Sequence, residues 1–229
     1  MHDQTAAIHW RETDHGAVPV SDQFDDPYYS LNGGLDETAH VFLGGNQLPA
    51  RWDQPLHIAE LGFGTGLNLL VTWAAWAQGP MQPLRFTSFE AFPMAPADMA
   101  NALAAFPSLA PYAAGLLDKW QADAGPVTLA PQLTLEVIVG DARRTLPSWD
   151  GQADAWYLDG FSPAKNPALW QPDLIAEVGR HTAPHGTAAT YSAAGHVRRS
   201  LQDAGFAVDR VAGYGRKRHM TIARLSDAK

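Results

Sequence analysis

The chain contains no cysteine. That absence removes disulfides, thiolate zinc sites and cysteine nucleophiles together, and it fits a reducing compartment, so the cytoplasm is the expected location. Positive charge is scarce as well: 16 Lys and Arg against 24 Asp and Glu give a formal net charge of −8. Nonspecific nucleic-acid affinity comes mainly from neutralising phosphates with Lys and Arg, so blanket phosphate binding is excluded and any RNA contact must be local. Long hydrophobic runs are also missing. No window approaches the roughly 18 apolar residues of a membrane span, and the opening MHDQTAAIHWRETD lacks the basic start and apolar run of a secretion signal. The histidines show no paired metal-ligand spacing, and Asp25-Asp26 lacks the periodic oxygen ligands of a calcium loop, so no metal is expected.

What is present is material for a large core: 46% hydrophobic residues, with eight Trp and nine Phe, in 229 residues. A single domain over 1–229 is the expectation, since one core persists to roughly 250 residues. It divides into an extension, 1–55, and a core, 56–229. No repeat, long linker or exposed apolar stripe stands out, so a monomer without an obligate protein partner is expected. The extension reads as β-rich, with Ala6-Ile8-Trp10 and Val18-Val20 forming a hairpin around Thr13-Asp14-His15-Gly16, followed by turn-rich Asn32-Gly33-Gly34. From residue 56 strands and helices alternate. LHIAEL, LRFTSFE, LTLEVIVGD, ADAWYLDG and GTAATYS read as strands; 67–77, 96–106, 109–120, 143–149, 172–182 and 193–204 read as helical. Such alternation implies a parallel sheet covered on both faces. FAVDRV and HMTIARL, joined by a short Gly-rich turn, read as a terminal antiparallel pair.

The first strand runs into Glu60-Leu61-Gly62-Phe63-Gly64-Thr65-Gly66, a glycine loop opening a helix. Glycines there permit tight turns and close approach of a ligand to the backbone. The dinucleotide fingerprint G-x-G-x-x-G is not met, because the third glycine falls at 66 and position 67 is Leu. Glu60, two residues before Gly62, would repel a pyrophosphate but suits a cationic sulfonium amino acid. Glu90, Asp141 and Asp159 each end a later strand, where ligands of open α/β sheets sit. Glu90 lies 26 residues after Gly64, near the spacing for a ribose-hydroxyl acceptor, and Asp141 is placed to accept from an exocyclic adenine amine. Taken singly, each of these acids could instead cap a helix, Asp being a favoured capping residue. Four carboxylates at successive strand ends are harder to assign to capping alone.

FDDPYYS at 24–30, VFLGGNQLPAR at 41–51, ELGFGTGLN at 60–68, SFEAFPM at 88–94, LDGFSPAKNPALW at 158–170, YSAAGHVRRSLQDAGF at 191–206 and GYGRKRHM at 213–220 together carry a resemblance. The chain resembles the tRNA 5-methylaminomethyl-2-thiouridine methyltransferases, the family of the amino-terminal domain of MnmC and its stand-alone counterpart MnmD. The resemblance implies a class I, Rossmann-like, mostly parallel seven-stranded sheet with an antiparallel last strand. It implies S-adenosyl-L-methionine as cofactor, S-adenosyl-L-homocysteine as product, and tRNA as partner. The methyl acceptor implied is the aminomethyl nitrogen on carbon 5 of a wobble (2-thio)uridine. In bifunctional relatives an FAD-dependent domain first removes a carboxymethyl group; with the sequence ending at Lys229, only the methyl step is expected here, without FAD.

The cofactor-binding set implied is Glu60, Gly62, Phe63, Gly64, Thr65, Gly66, Asn68, Glu90, Asp141 and Ala142, with Asp159 as the catalytic residue. A primary alkylamine resembles Lys, with a pKa of about 10.4, so it arrives protonated and must be oriented and relieved of a proton. Tyr28 and Phe161 are expected to stack on the substrate base, Lys165 and Asn166 to lie in a substrate loop where the Lys meets a phosphate, and Arg198, Arg199, Arg216, Lys217 and Arg218 to contact the tRNA backbone. Carbon methylation of a pyrimidine is disfavoured, because it usually requires a thiolate. The competing readings are a small-amine methyltransferase, a nicotinamide-dependent oxidoreductase and a non-catalytic nucleic-acid-binding module.

Overall fold

The computed structural model describes residues 5–14, 16–30, 33–215 and 217–226. The expected turn residues His15 and Asn32 and the expected tRNA contact Arg216 lie outside these. In the extension, β1 (Ile8–Arg11), β2 (Val18–Ser21) and β3 (Asp26–Pro27) form a small antiparallel sheet in the order β1-β2-β3. The hairpin is therefore present as read. The second half of the extension is helical: α1 (Gly34–Thr38) runs straight into a π-helical turn, Ala39–Gly44. Val41, Phe42 and Leu43 are buried there, and Phe42 stacks on Tyr157 at 4.9 Å. "β-rich" is thus half of the description of this segment. Its helical half lies between glycines and is held by burial rather than by a regular apolar period, which is why the sequence pattern did not reveal it.

The main sheet has eight strands: β4 (Leu56–Leu61), β5 (Leu84–Glu90), β6 (Val127–Ala130), β7 (Leu133–Val139), β8 (Ala153–Leu158), β9 (Thr182–Thr190), β10 (Phe206–Ala212) and β11 (His219–Leu225). Their order is β10-β11-β9-β8-β4-β5-β7-β6. The pairings β4–β5, β4–β8, β5–β7 and β8–β9 are parallel, and β11 lies antiparallel between β9 and β10. These are the seven expected strands with the reversed last one. The eighth, β6, adds an antiparallel edge to β7 through a turn at Gln132, whose φ is 70°. VTLA is a four-residue run bracketed by Pro126 and Pro131, and the sequence pattern does not mark it as a strand.

Helices α2 (Leu67–Trp76), α3 (Pro96–Leu103) and α4 (Ala110–Lys119) cover one face; α5 (Ala142–Thr145), α6 (Pro172–Arg180) and α7 (Gly195–Asp203) cover the other. Alternation along β4 shows the division. Leu56 and Ile58 join the cluster with Leu70, Trp76 and Leu116, while Ala59 and Leu61 join that of Trp156, Ile175 and Val197. Trp76 and Trp156 are essentially without solvent exposure. Burying side chains of this size stabilises the fold by about 1.5–3 kcal/mol each. Because α2 leaves β4 on one side and α6 leaves β8 on the other, the strand order reverses between β4 and β8. Such a switch point opens a crevice at the carboxyl ends of the strands.

Candidate active site

A cleft of about 1370 Å³ occupies that crevice. Its floor is the loop after β4, where Gly62, Gly64 and Gly66 take φ values of 88°, 54° and 78°. These lie in the left-handed region that favours glycine. Space makes the same demand: a Cβ on Gly62 would stand 3.0 Å from the Asp159 carbonyl oxygen, and one on Gly64 would stand 3.1 Å from the Tyr28 ring. The β4 and β8 ends are thus packed backbone to backbone, and the loop stays open to a ligand.

The acids at the strand ends play different parts. Glu90 closes the loop, accepting the Gly64 backbone N–H at 2.9 Å on one carboxylate oxygen and the Phe92 N–H at 2.8 Å on the other. Burial raises its proton affinity, and the backbone donors oppose the rise. Asp141 caps α5 through the Arg143 N–H at 3.0 Å, and the Arg143 guanidinium grips both its oxygens, holding its carboxyl below the usual range. The capping alternative is therefore realised at Asp141, although the residue also lines the cleft beside Ala142. Glu60 does not line the cleft. It is fully buried behind it, with one oxygen accepting from the Asn68 amide at 2.8 Å and the other from the Ser88 hydroxyl at 2.7 Å. Glu60, expected to face a sulfonium amino acid, is instead turned inward, one oxygen held by Asn68 and the other by Ser88.

Asn68 is the hub of the site. Its amide donates one hydrogen to Glu60 and the other, at 2.7 Å, to Asp159, while its carbonyl accepts from Thr38 of α1 at 3.1 Å. Thr38 therefore fixes which way the amide points. Asp159 also accepts the Gly160 N–H at 2.9 Å. Burial lifts the Asp159 carboxyl to about 6, against the hydrogen bonds from Asn68 and Gly160 and the positive charge of Lys217, which lower it. The carboxylate is ionised at neutral pH yet remains a usable proton acceptor.

Aromatic rings from the extension wall one side of the cleft. Phe24 stacks on Phe161 at 4.8 Å, Tyr28 meets Phe161 edge-on at 5.1 Å, and Phe92 meets Phe24 edge-on at 6.1 Å. Tyr28 and Phe161, the two rings expected at the substrate base, both line the cleft, and Phe24 joins them unannounced. The Phe63 ring stacks on Trp120 at 5.0 Å and packs against Gly66, where a Cβ would stand 3.1 Å from it. Thr65 is buried in the same turn. The 160–166 loop is pinned by the Asp25-Asp26 pair: Asp26 accepts the Ser162 N–H at 2.8 Å and Asp25 meets Lys165 Nζ at 2.6 Å. Asn166 lines the cleft, whereas Lys165 is held outside by Asp25.

The basic candidates separate. Arg198 and Arg199 sit on α7 away from the cleft, and Arg218 is exposed. Lys217 lines the cleft instead, 2.6 Å from Glu37 and 4.2 Å above the Tyr191 ring. Glu37, Thr38 and Tyr191 were not singled out in the sequence. Tyr191 opens the 191–206 segment and Glu37 and Thr38 fall between two others, but only the fold brings all three to the cleft.

The glycine floor, Glu90 and the loop backbone fit a nucleoside-bearing sulfonium cofactor: the floor is kept free of side chains, and an acid stands at each end of it. Residues 107–226 match the model of a family described as S-adenosyl-L-methionine-dependent methyltransferase. The chain is 46% identical over 228 residues to the tRNA 5-methylaminomethyl-2-thiouridine biosynthesis bifunctional protein MnmC of Pseudomonas paraeruginosa, covering 95% of this chain and 34% of that protein. The corresponding protein of Pseudomonas aeruginosa strain PAO1 is 45% identical, with the same coverage. The chain thus spans about a third of the curated relatives it matches. The crystal structure of MNMC2 from Aquifex aeolicus superimposes with a TM-score of 0.78 at 27% identity, over 99% of this chain and 73% of that one. A Geobacter metallireducens precorrin-6y C5,15-methyltransferase shares the fold alone, with a TM-score of 0.50 at 13% identity.

Proposed function

The chain belongs to the S-adenosyl-L-methionine-dependent methyltransferase family, and on that premise we propose that it N-methylates the 5-aminomethyl group of a wobble (2-thio)uridine in tRNA, giving the 5-methylaminomethyl nucleoside. The observation that carries this reading is Asp159. A carboxylate of raised proton affinity stands at the switch point, fixed by Asn68 and Gly160, in an aromatic-walled cleft large enough for a cofactor and a base together. The names of the relatives supply the tRNA nucleoside.

Bound S-adenosyl-L-methionine supplies a methyl group on a sulfonium sulfur, the electrophile of an in-line displacement. Gly62 to Gly66, Asn68, Glu90, Asp141 and Ala142 are the residues that would hold it. The chain's own work is to align the amine and free its lone pair. An alkylammonium with a pKa of about 10.4 facing a carboxyl near 6 must give up its proton against a gap of roughly four units, or about 6 kcal/mol. Desolvation in the cleft narrows that gap, because burial disfavours the cation. Asp159 orients the nitrogen by accepting one N–H and takes the proton as the cation loses its water. Tyr28 and Phe161 form the ring surface on which an extruded base stacks. The assignment covers methyl transfer only, and requires neither metal nor FAD.

A second reading, methylation of a small-molecule amine, is favoured by the formal charge of −8. Methyl incorporation from labelled cofactor separates the two, using tRNA with and without aminomethyl-uridine and wild type beside Asp159→Ala. Label confined to modified tRNA, with a loss of about 10²-fold or more in Asp159→Ala, is the expected result. Cofactor binding without label in any tRNA would overturn the tRNA reading, and label in free amines would replace it with the second.

A further inference from the structure

Three charged groups converge above the cleft around Asp159, and the chemistry above uses only one of them. Lys217, in the β10–β11 connection, is tethered twice: to Glu37 of α1 at 2.6 Å and to the face of Tyr191 at 4.2 Å. Tyr191, just past β9, in turn donates its hydroxyl to the Gly160 carbonyl at 2.6 Å, and Gly160 is the residue whose N–H binds Asp159. An unbroken chain of contacts therefore runs from the Glu37–Lys217 pair through Tyr191 and the Gly160 backbone to the Asp159 carboxylate. Glu37 is well shielded, with its side chain 13% exposed, whereas Lys217 is 45% exposed and needs its two tethers to stay in place. The groups facing Asp159 are Asn68 from α2, with Glu60 of β4 behind it, Tyr191 just past β9, Lys217 from the β10–β11 connection and Glu37 from α1. Asn68 is neutral, burial keeps the Tyr191 hydroxyl protonated and Glu60 is turned inward, which leaves Lys217 and Glu37 as the charged pair on the open side.

We propose that Lys217 and Glu37 are positioning residues whose balanced charges set the proton affinity of Asp159, and with it the pH range over which an amine is accepted. This rests on the methyl-transfer reading for its consequence, but not for its physics. Lys217 favours the Asp159 carboxylate, and Glu37 both opposes it directly and holds Lys217 in position. Without Lys217, Asp159 faces an unneutralised Glu37 and binds its proton more tightly. Without Glu37, Lys217 acts unopposed and Asp159 releases its proton more readily. Removing both restores an approximately neutral surface.

The test titrates the Asp159 carboxyl by carbon-13 NMR in protein without tRNA, the signal being assigned by its absence in Asp159→Asn. Wild type is compared with Lys217→Gln, Glu37→Gln, the double variant and Lys217→Arg. The midpoint should rise by roughly half a pH unit or more in Lys217→Gln, fall by a similar amount in Glu37→Gln, and return towards wild type in the double variant and in Lys217→Arg. The acid limb of the methyl-transfer rate should move in the same directions. A purely structural role would lower the rate of both single variants without opposite shifts. Midpoints that are unmoved, or that move together, overturn the inference. Because the titration needs no RNA, it is decided independently of the tRNA assignment; opposite midpoint shifts together with failure to methylate any tRNA would overturn that assignment alone.

Discussion

The two ends of the main sheet are built from similar residues and arrive at opposite states. At the amino half, Arg51 donates to the carbonyls of Asn46 and Asp154 and to the Thr187 hydroxyl, Asp154 accepts the His57 N–H at 2.7 Å, and the His57 ring meets Thr87 at 2.9 Å. Each of these charged or titratable groups has a fixed partner, and burial keeps His57 neutral with a pKa of about 4. At the carboxyl end, by contrast, Glu60 and Asp159 share a single amide, and burial raises the proton affinity of both. At the amino end these charged groups are paired, and the smaller cavity there, about 570 Å³, is lined by none of them. The carboxyl end leaves acceptor capacity unspent and faces a cavity. Residual electrostatic cost at one end of a sheet, against completed pairing at the other, is what distinguishes a reactive surface from a structural one.

Asn68→Ala should break this contrast most severely. It strips a donor from two carboxylates at once, each loss costing about 1–3 kcal/mol, and it frees Asp159 to move. Methyl transfer should fall by about 10²-fold in single-turnover measurements, with a lowered melting temperature. Gly64→Ala is milder. A left-handed φ of 54° and a Cβ at 3.1 Å from Tyr28 strain the loop by about 1–3 kcal/mol, so calorimetric titration should show cofactor affinity reduced roughly tenfold. Asp154→Ala, at the other end, sharpens the comparison by its small effect. Denaturant titration should show a loss of about 1–2 kcal/mol from the His57 hydrogen bond, with methyl transfer within about twofold of wild type. Equal rate losses for Asn68→Ala and Asp154→Ala would erase the distinction between the two ends.

Much of the frame was legible because it rests on local rules. Alternating strand and helix patterns located all seven principal strands, and the reversed final pair followed from a short connection. The three glycines were recognisable because only they tolerate the loop's dihedrals, and Glu90, Asp141 and Asp159 because each ends an apolar run. Legibility stopped where partners are distant in the chain. Asp141 looked the same in sequence as Asp159, yet one is gripped by an arginine two residues away and the other is held by an amide 91 residues away.

The class of fold, the position of the glycine floor and the carboxylates at the strand ends each depend on residues within one or two elements, so the chain's local pattern carries them. Which carboxylate faces the cleft depends on long-range packing. Glu60 is withdrawn behind Asn68 while Asp159 is presented to it, and Glu37, Lys217 and Tyr191 gather from α1, the β10–β11 connection and the end of β9. Burial and electrostatic coupling are properties of surroundings, and those surroundings are assembled from segments that are far apart until the chain has folded.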